Sequence, residues 1–301
     1  MISRLGYACI ALGIDATTNR TCRLANATPE RLRTLIRANL EGLARVLRYN
    51  AQRDIRFFRI SSLIVPFASH PVNTLLWWEE FRDTLADLGR YARSEGMRLT
   101  MHPGHHTVLS SPRANVVDAA IADLLYHARF LDSLGTGTNG KIVIHVGGTY
   151  GDRLAAIDRF AATYVGLPAA VKARLVLEND ERSYAAADVL LISQRTGIPV
   201  VFDALHDLIL PSPGFPDRSA LLQACFATWQ TVDGQPIVHF STQDTAKQPG
   251  AHAEWIDTDA FLRFDRDTGL TTVDCMLEAK GKELALVRLR DEVAARRTQA
   301  A

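Results

Sequence analysis

The sequence predicts a single α/β domain over residues 1–301, a (β/α)8 TIM barrel with metal-binding side chains at the C-terminal face of its strands. Three observations carry this reading. Eight short apolar, β-branched runs alternate with amphipathic segments of helical period, the pattern of a parallel sheet built from strand–helix units. A chain of 301 residues, 47% hydrophobic and 22% charged, has the length and apolar content for one such barrel. Metal-favouring side chains then stand at the ends of six successive runs. An open doubly wound sheet is the alternative, but it gathers ligands at a switch point rather than from six strands in a row.

The strands are expected near 5–12, 55–61, 98–103, 141–147, 174–179, 199–205, 236–241 and 272–279. The helices are expected near 29–53, 77–95, 113–134, 152–166, 185–195, 217–229 and 282–297, with a short one near 257–263. The first is the clearest. Leu32, Leu35, Ile36, Leu40, Leu43 and Leu47 recur at helical spacing, and Thr28-Pro29 supplies an N-cap followed by proline at the first helical position. The tail from about 293 to 301 is expected to fray.

Composition excludes several classes. The formal net charge is +1, so any nucleic-acid surface must be a local patch. No apolar run of about 18 residues is present, so no transmembrane helix is expected. The opening MISRLGYACIALGID reads as a first strand, because no small-residue cleavage site follows it as in a signal peptide. Cys9, Cys22, Cys225 and Cys275 are scattered without a CxxC pair. A reducing, cytoplasmic setting without disulfides follows.

The strand ends carry the chemistry. His102 closes LTMH, His145 IVIH, Glu178 LVLE and Asp203 VVFD, with His206 three residues on; His239 lies in IVHF, His252 in PGAHA and Glu278 in MLE. A charge at the end of a buried strand needs a partner or a metal. One such histidine alone is a hydrogen-bonded core residue; eight potential ligands in register argue for one shared site. His, Asp and Glu without cysteine suit manganese, zinc or magnesium, and eight ligands serve two or three ions. Closely spaced divalent ions suit phosphodiester hydrolysis. His127, within LLYHARFL, reads as structural or exposed, and Cys9 and Cys275 as small core residues. Asp180 and Glu181 read as loop carboxylates, and His70 as a residue after the second strand that can face the site.

These blocks together resemble the UV damage endonucleases, TIM-barrel DNA-repair enzymes related in architecture to the endonuclease IV group. The matching segments run nearly end to end: LGYAC at 5–9, ATTNRTCRLANAT at 16–28, NLEGLARVLRYNA at 39–51, FFRISSLIVPFASHP at 57–71, MHPG at 101–104, HVGGTYGDR at 145–153, LENDER at 177–182, VFDALH at 201–206, VHFSTQD at 238–244, KQPGAHA at 247–253 and LEAKGKE at 277–283. The resemblance implies a trinuclear manganese- or zinc-type centre. It implies incision 5′ to a UV photoproduct in double-stranded damaged DNA, by a monomer without a protein or membrane partner.

It also assigns roles. His102, His145 and Glu178 match ligands of a first ion. Glu178 would bridge to a second, also held by Asp203, His239 and Glu278. His206 and His252 match ligands of a third. His70 and Lys280 match residues near phosphate, and with Glu178 they form the expected catalytic set; Lys282 is an alternative phosphate contact. Tyr7, Asn19 and Arg20 are expected at the DNA surface.

Three departures stand out. The family's MHPG is normally followed by Gln-Tyr, which probes the lesion; here it is followed by His105 and His106, expected to probe DNA or to bind an ion. A carboxylated lysine usually stands two residues before the strand-seven histidine; here it is Ile237, which cannot supply an oxygen ligand. The asparagine usual after the GYxC block is absent from Cys9-Ile10-Ala11. Two alternatives therefore stand beside the endonuclease reading. One is a divergent paralogue using the cluster on a small molecule or peptide. The other is a non-catalytic DNA-damage binder.

Overall fold

The computed structural model describes residues 1–300, with side chains through 298. Eight parallel strands pair in sequence order, and β8 closes onto β1. They are β1 Ile2–Ala8, β2 Phe57–Ile60, β3 Arg98–Met101, β4 Ile142–His145, β5 Leu175–Glu178, β6 Val200–Asp203, β7 Ile237–Phe240 and β8 Val273–Leu277. Eleven helices are described outside them: α1 Pro29–Gln52, α2 Trp77–Glu80, α3 Arg82–Ser94, α4 Ala114–Ser133, α5 Arg153–Val165, α6 Ala169–Lys172, α7 Ala186–Thr196, α8 Ala204–Ile209, α9 Arg218–Phe226, α10 Thr258–Asp267 and α11 Lys282–Ala300. The barrel expected from the alternating runs is therefore the fold.

Boundaries differ in physically legible ways. β1 starts earlier than expected because the Met1 amino group donates to Thr268 Oγ1 (2.6 Å) and Ile2 N to Asp265 Oδ1 (2.9 Å). It ends where Cys9 takes φ 74, outside the extended region. The helix expected over 77–95 breaks at Phe81, whose φ −110 and ψ 20 separate α2 from α3. The helix expected over 217–229 stops at Phe226, and Trp229 instead donates its indole N–H to Val200 O (2.8 Å). The short helix near 257–263 extends to Asp267, with Asp257 capping it through Ala260 N. The tail expected to fray is helical as far as Ala300; position 301 lies outside the described residues.

The barrel interior is layered, because residues two apart on a strand point to the same side. At the N-terminal end, Arg98, Lys141, Arg174 and Asp274 are buried. Arg98 pairs with Asp274 at 2.9 Å and Lys141 with Asp233 at 2.6 Å. Two residues further along, Phe57, Val143, Val176, Val201, Ile237 and Met276 form a separate buried apolar cluster. Two further again come Arg59, His145, Glu178, Asp203, His239 and Glu278. A dry apolar plug thus underlies a ring of polar side chains, which is how a filled barrel presents chemistry only at its C-terminal face.

Candidate metal centre and active site

The strand register brings the ring together. β4 and β5 pair His145 with Glu178, and β6 and β7 pair Asp203 with His239. Glu178, Asp203 and His239 are at most 1% exposed. His102 and Glu278 lie one residue beyond β3 and β8.

Glu178 occupies the centre. Its Oε2 lies 3.0 Å from His102 Nε2 and 3.6 Å from His145 Nε2; its Oε1 lies 2.6 Å from His239 Nδ1. Two groups of potential ligand atoms result, each within 4.8 Å: His102, His145 and Glu178, then Glu178, Asp203 and His239. His252 Nε2 stands 3.8 Å from Glu278 Oε2, and His206 Nδ1 4.0 Å from Glu178 Oε1. The eight expected ligands therefore converge on one region. Most of them line a cavity of about 330 Å³.

The donor chemistry fits cations. His102 Nδ1 is 2.9 Å from Pro103 O, which can only accept, so this nitrogen carries the proton. Its Nε2 then faces the Glu178 carboxylate at 3.0 Å. A proton or a divalent ion has to stand between the two atoms at that distance. Asp203 makes the same point. Its Oδ1 caps α8 by accepting from His206 N (2.8 Å), while Oδ2 is buried without a hydrogen-bond partner.

Charge coupling follows from burial. Burial alone would raise the Glu178 carboxyl, but His239 and His145, with hydrogen bonds from His102 and His239, hold it well below the usual range. Burial, opposed by His206 and reinforced by Glu178 and Glu278, raises Asp203. Burial lowers His145 to about 4, so its imidazole is neutral at ordinary pH. Burial would lower His206 too, but Asp203 and Glu178 raise it to about 9.

Two site residues escaped the sequence reading. Arg59, inside the apolar FFRI run, points into the ring. Its guanidinium is 2.6 Å from Glu278 Oε1 and 2.9 Å from His239 Nε2, and it is buried. A lone arginine in a buried strand was the available signal, since such a charge requires a partner. Glu181, read as a loop carboxylate, lines the cavity, with Oε2 3.7 Å from His206 Nε2. Asp180 does behave as a loop carboxylate; it accepts from the amide N–H groups of Arg182, Ser183 and Tyr184.

Other expected residues fall elsewhere. Tyr7 is not at the DNA surface: it is fully buried under α1, donating its hydroxyl to Asn50 Oδ1 at 2.7 Å. Its strand position points outward, between Gly6 and Ala8. His70 is exposed beyond the cavity wall, and its Nδ1 accepts from Val72 N at 3.0 Å. Lys280 is also exposed, paired with Asp244 at 3.2 Å rather than lining the cavity. Arg20 is exposed and Asn19 half-buried on the loop after β1. His105 is exposed at the cavity mouth, its ring stacked on His145 with centroids 5.6 Å apart. His106 is exposed beside Gly104. His127 is wholly buried and structural, bridging Asp123 O (2.7 Å) and Ser62 Oγ (2.9 Å). Cys275 is core, whereas Cys9 borders the cavity; all four cysteines are free. Among the described residues, no helix is long and apolar enough to cross a membrane.

The chain is similar to known proteins over nearly its whole length. The chain is 36% identical over 290 residues to the UV DNA damage endonuclease of Clostridium perfringens (strain 13 / Type A), covering 95% of this chain and 69% of that one. It is 34% identical over 308 residues to the UV DNA damage endonuclease of Bacillus cereus (strain G9842), covering 98% and 96%. The crystal structure of SacUVDE superposes with a TM-score of 0.90 at 34% identity, over 97% of this chain and 98% of that one. The sequence model of the UV-endonuclease UvdE family spans residues 3–299, and the chain belongs to that family of DNA-repair endonucleases.

Proposed function

We propose that this chain is a metal-dependent endonuclease that hydrolyses the phosphodiester 5′ to a UV photoproduct or another helix-distorting lesion in duplex DNA. It would act in the cytoplasm as a monomer, with two or three divalent ions, manganese foremost and zinc or magnesium as alternatives. The observation that carries the reading is the convergence of His102, His145, Asp203 and His239 on Glu178, in a ring that also holds a buried, unpartnered Asp203 oxygen.

His102, His145 and Glu178 would hold one ion; Glu178, Asp203, His239 and Glu278 a second; His206 and His252 a third. Bound divalent ions supply water activation and stabilise the charge that builds on a phosphate oxygen. The chain's own residues do the rest. Glu178 presents one oxygen to each of the first two groups, which fixes their separation. Arg59 anchors Glu278 and His239 from within the ring, and the apolar plug keeps water to one side of it. At the rim, Arg20 and Asn19 offer donors to a phosphate backbone. His105 and His106 offer flat rings against a base already unstacked by damage, where extrusion costs least.

End-labelled duplexes test this: intact, UV-irradiated and abasic, with Mn²⁺, and a Glu178→Gln chain as blank. The expected result is one cut 5′ of the photoproduct, absent in the blank. Absence of cutting on every duplex by a metal-carrying protein refutes the reading and turns the search to small-molecule substrates. Equal cutting of damaged and intact duplex removes the lesion recognition.

A further inference from the structure

We propose that Glu181 is the carboxylate ligand that completes the third ion's site with His206 and His252; the idea rests on the metal-dependent reading above.

The argument starts with His206. Its Nδ1 lies 2.9 Å from Asn179 O, an acceptor only, so Nδ1 carries a proton and Nε2 is the nitrogen left to bind an ion in exchange for its proton. A backbone carbonyl that fixes the tautomer in this way is the usual partner of a metal-binding imidazole. The Nε2 atom is aimed at Glu181 Oε2, 3.7 Å away, too far for a hydrogen bond. Two ligands about 2.1 Å from one divalent ion, at tetrahedral to trigonal angles, lie about 3.4–3.7 Å apart. The gap is an ion pair's in the absence of metal and has the span of two ligands on one shared ion.

The surroundings have been cleared for this glutamate. Gly250 lies across from it at φ 88, and a Cβ there would come 3.1 Å from Glu181 Cγ. The same segment carries His252, which lines the same cavity. Two neutral imidazoles alone would leave a divalent charge uncompensated in a half-enclosed cavity, which is unfavourable. The residue that the family resemblance would place nearby to supply an oxygen is Ile237, packed in the apolar plug. Glu181 answers that deficit from the loop above the ring instead of the strand below it.

The test uses the full chain, stripped of metal, reloaded with Mn²⁺ and desalted. Metal per chain is measured by mass spectrometry, and affinities by calorimetric titration. Wild type is compared with Glu181→Gln, His206→Ala and the double variant; circular dichroism checks the fold. Each single variant is expected to hold one ion fewer than wild type, or to bind its weakest ion at least tenfold less tightly. The double variant is expected to lose no more than that same ion. A Glu181→Gln chain with wild-type content and affinity overturns the proposal. So does a double variant that loses two ions, because the residues then serve different sites. A folded wild-type chain that binds no ion overturns the metal-dependent reading and Glu181's role with it.

Discussion

Arg59→Met is the most informative perturbation of the ring. In the metal-free chain, this guanidinium is the cation nearest Glu278 Oε1, at 2.6 Å, and both side chains are at most 15% exposed. Methionine keeps most of the volume and removes the charge. Breaking a buried pair from one side costs about 3–5 kcal/mol, because the remaining charge loses its partner. A chain of 301 residues has an unfolding entropy of about 0.6 kcal/mol/K, so the melting temperature should fall by about 5–8 °C. A divalent ion held by Glu278 and His239 would supply the missing positive charge. The deficit should therefore be present in chelator and shrink to a third or less in saturating Mn²⁺. Thermal unfolding of both proteins in both conditions measures it. Equal losses with and without metal would show that Arg59 and the ion do not share Glu278. No loss in chelator would show that the pair is not a buried one.

Three further outcomes follow from the same geometry. Glu178→Gln should leave the circular dichroism spectrum unchanged while incision falls by at least about 10³-fold, since one side chain serves both ligand groups; near-wild-type incision would dismantle the shared site. Ile237→Lys should raise metal retention if the new amine becomes carboxylated, at a cost of about 1–3 kcal/mol for a polar head in the plug; loss of both retention and activity would mean the plug has repacked. The pH dependence has two signs. His206 sits at about 9 in the metal-free chain, so an ion bound there displaces a proton, and its affinity should rise about tenfold per pH unit up to about pH 9 and then level. His145 is depressed to about 4, so the stability tied to its neutral form is complete above the ordinary histidine range and is lost as pH falls toward about 4. Calorimetric titration with Mn²⁺ and chelator melts across pH 4–9 check both, and an affinity flat between pH 6 and 9 would remove His206 from the ligand set.

Much of this was legible from one-dimensional pattern, and the parts that were not share a cause. His145, Glu178 and Asp203 each end an apolar run, and each is the final residue of its strand. A parallel barrel converts that position into convergence, so the shared region followed from the sequence. The pattern does not say which way a side chain faces. Tyr7 sits in a matching block and is expected at the DNA surface, yet its place between Gly6 and Ala8 turns it outward under α1, where Asn50 satisfies its hydroxyl. Arg59 sits in a block as apolar as any core strand, and its inward position makes it a counter-charge for the ring. Loop residues are worse still. Asp180 and Glu181 are adjacent and chemically alike, but Asp180 folds back on the loop's own amides while Glu181 reaches the cavity. A backbone turn decides between them, and no periodicity encodes a turn of three residues. The strand ends thus fixed what chemistry the barrel mouth offers, while the inward arginine and the loop glutamate determine how its charge is balanced. Those are the two places where substitution separates a metal site that binds from one that merely looks complete.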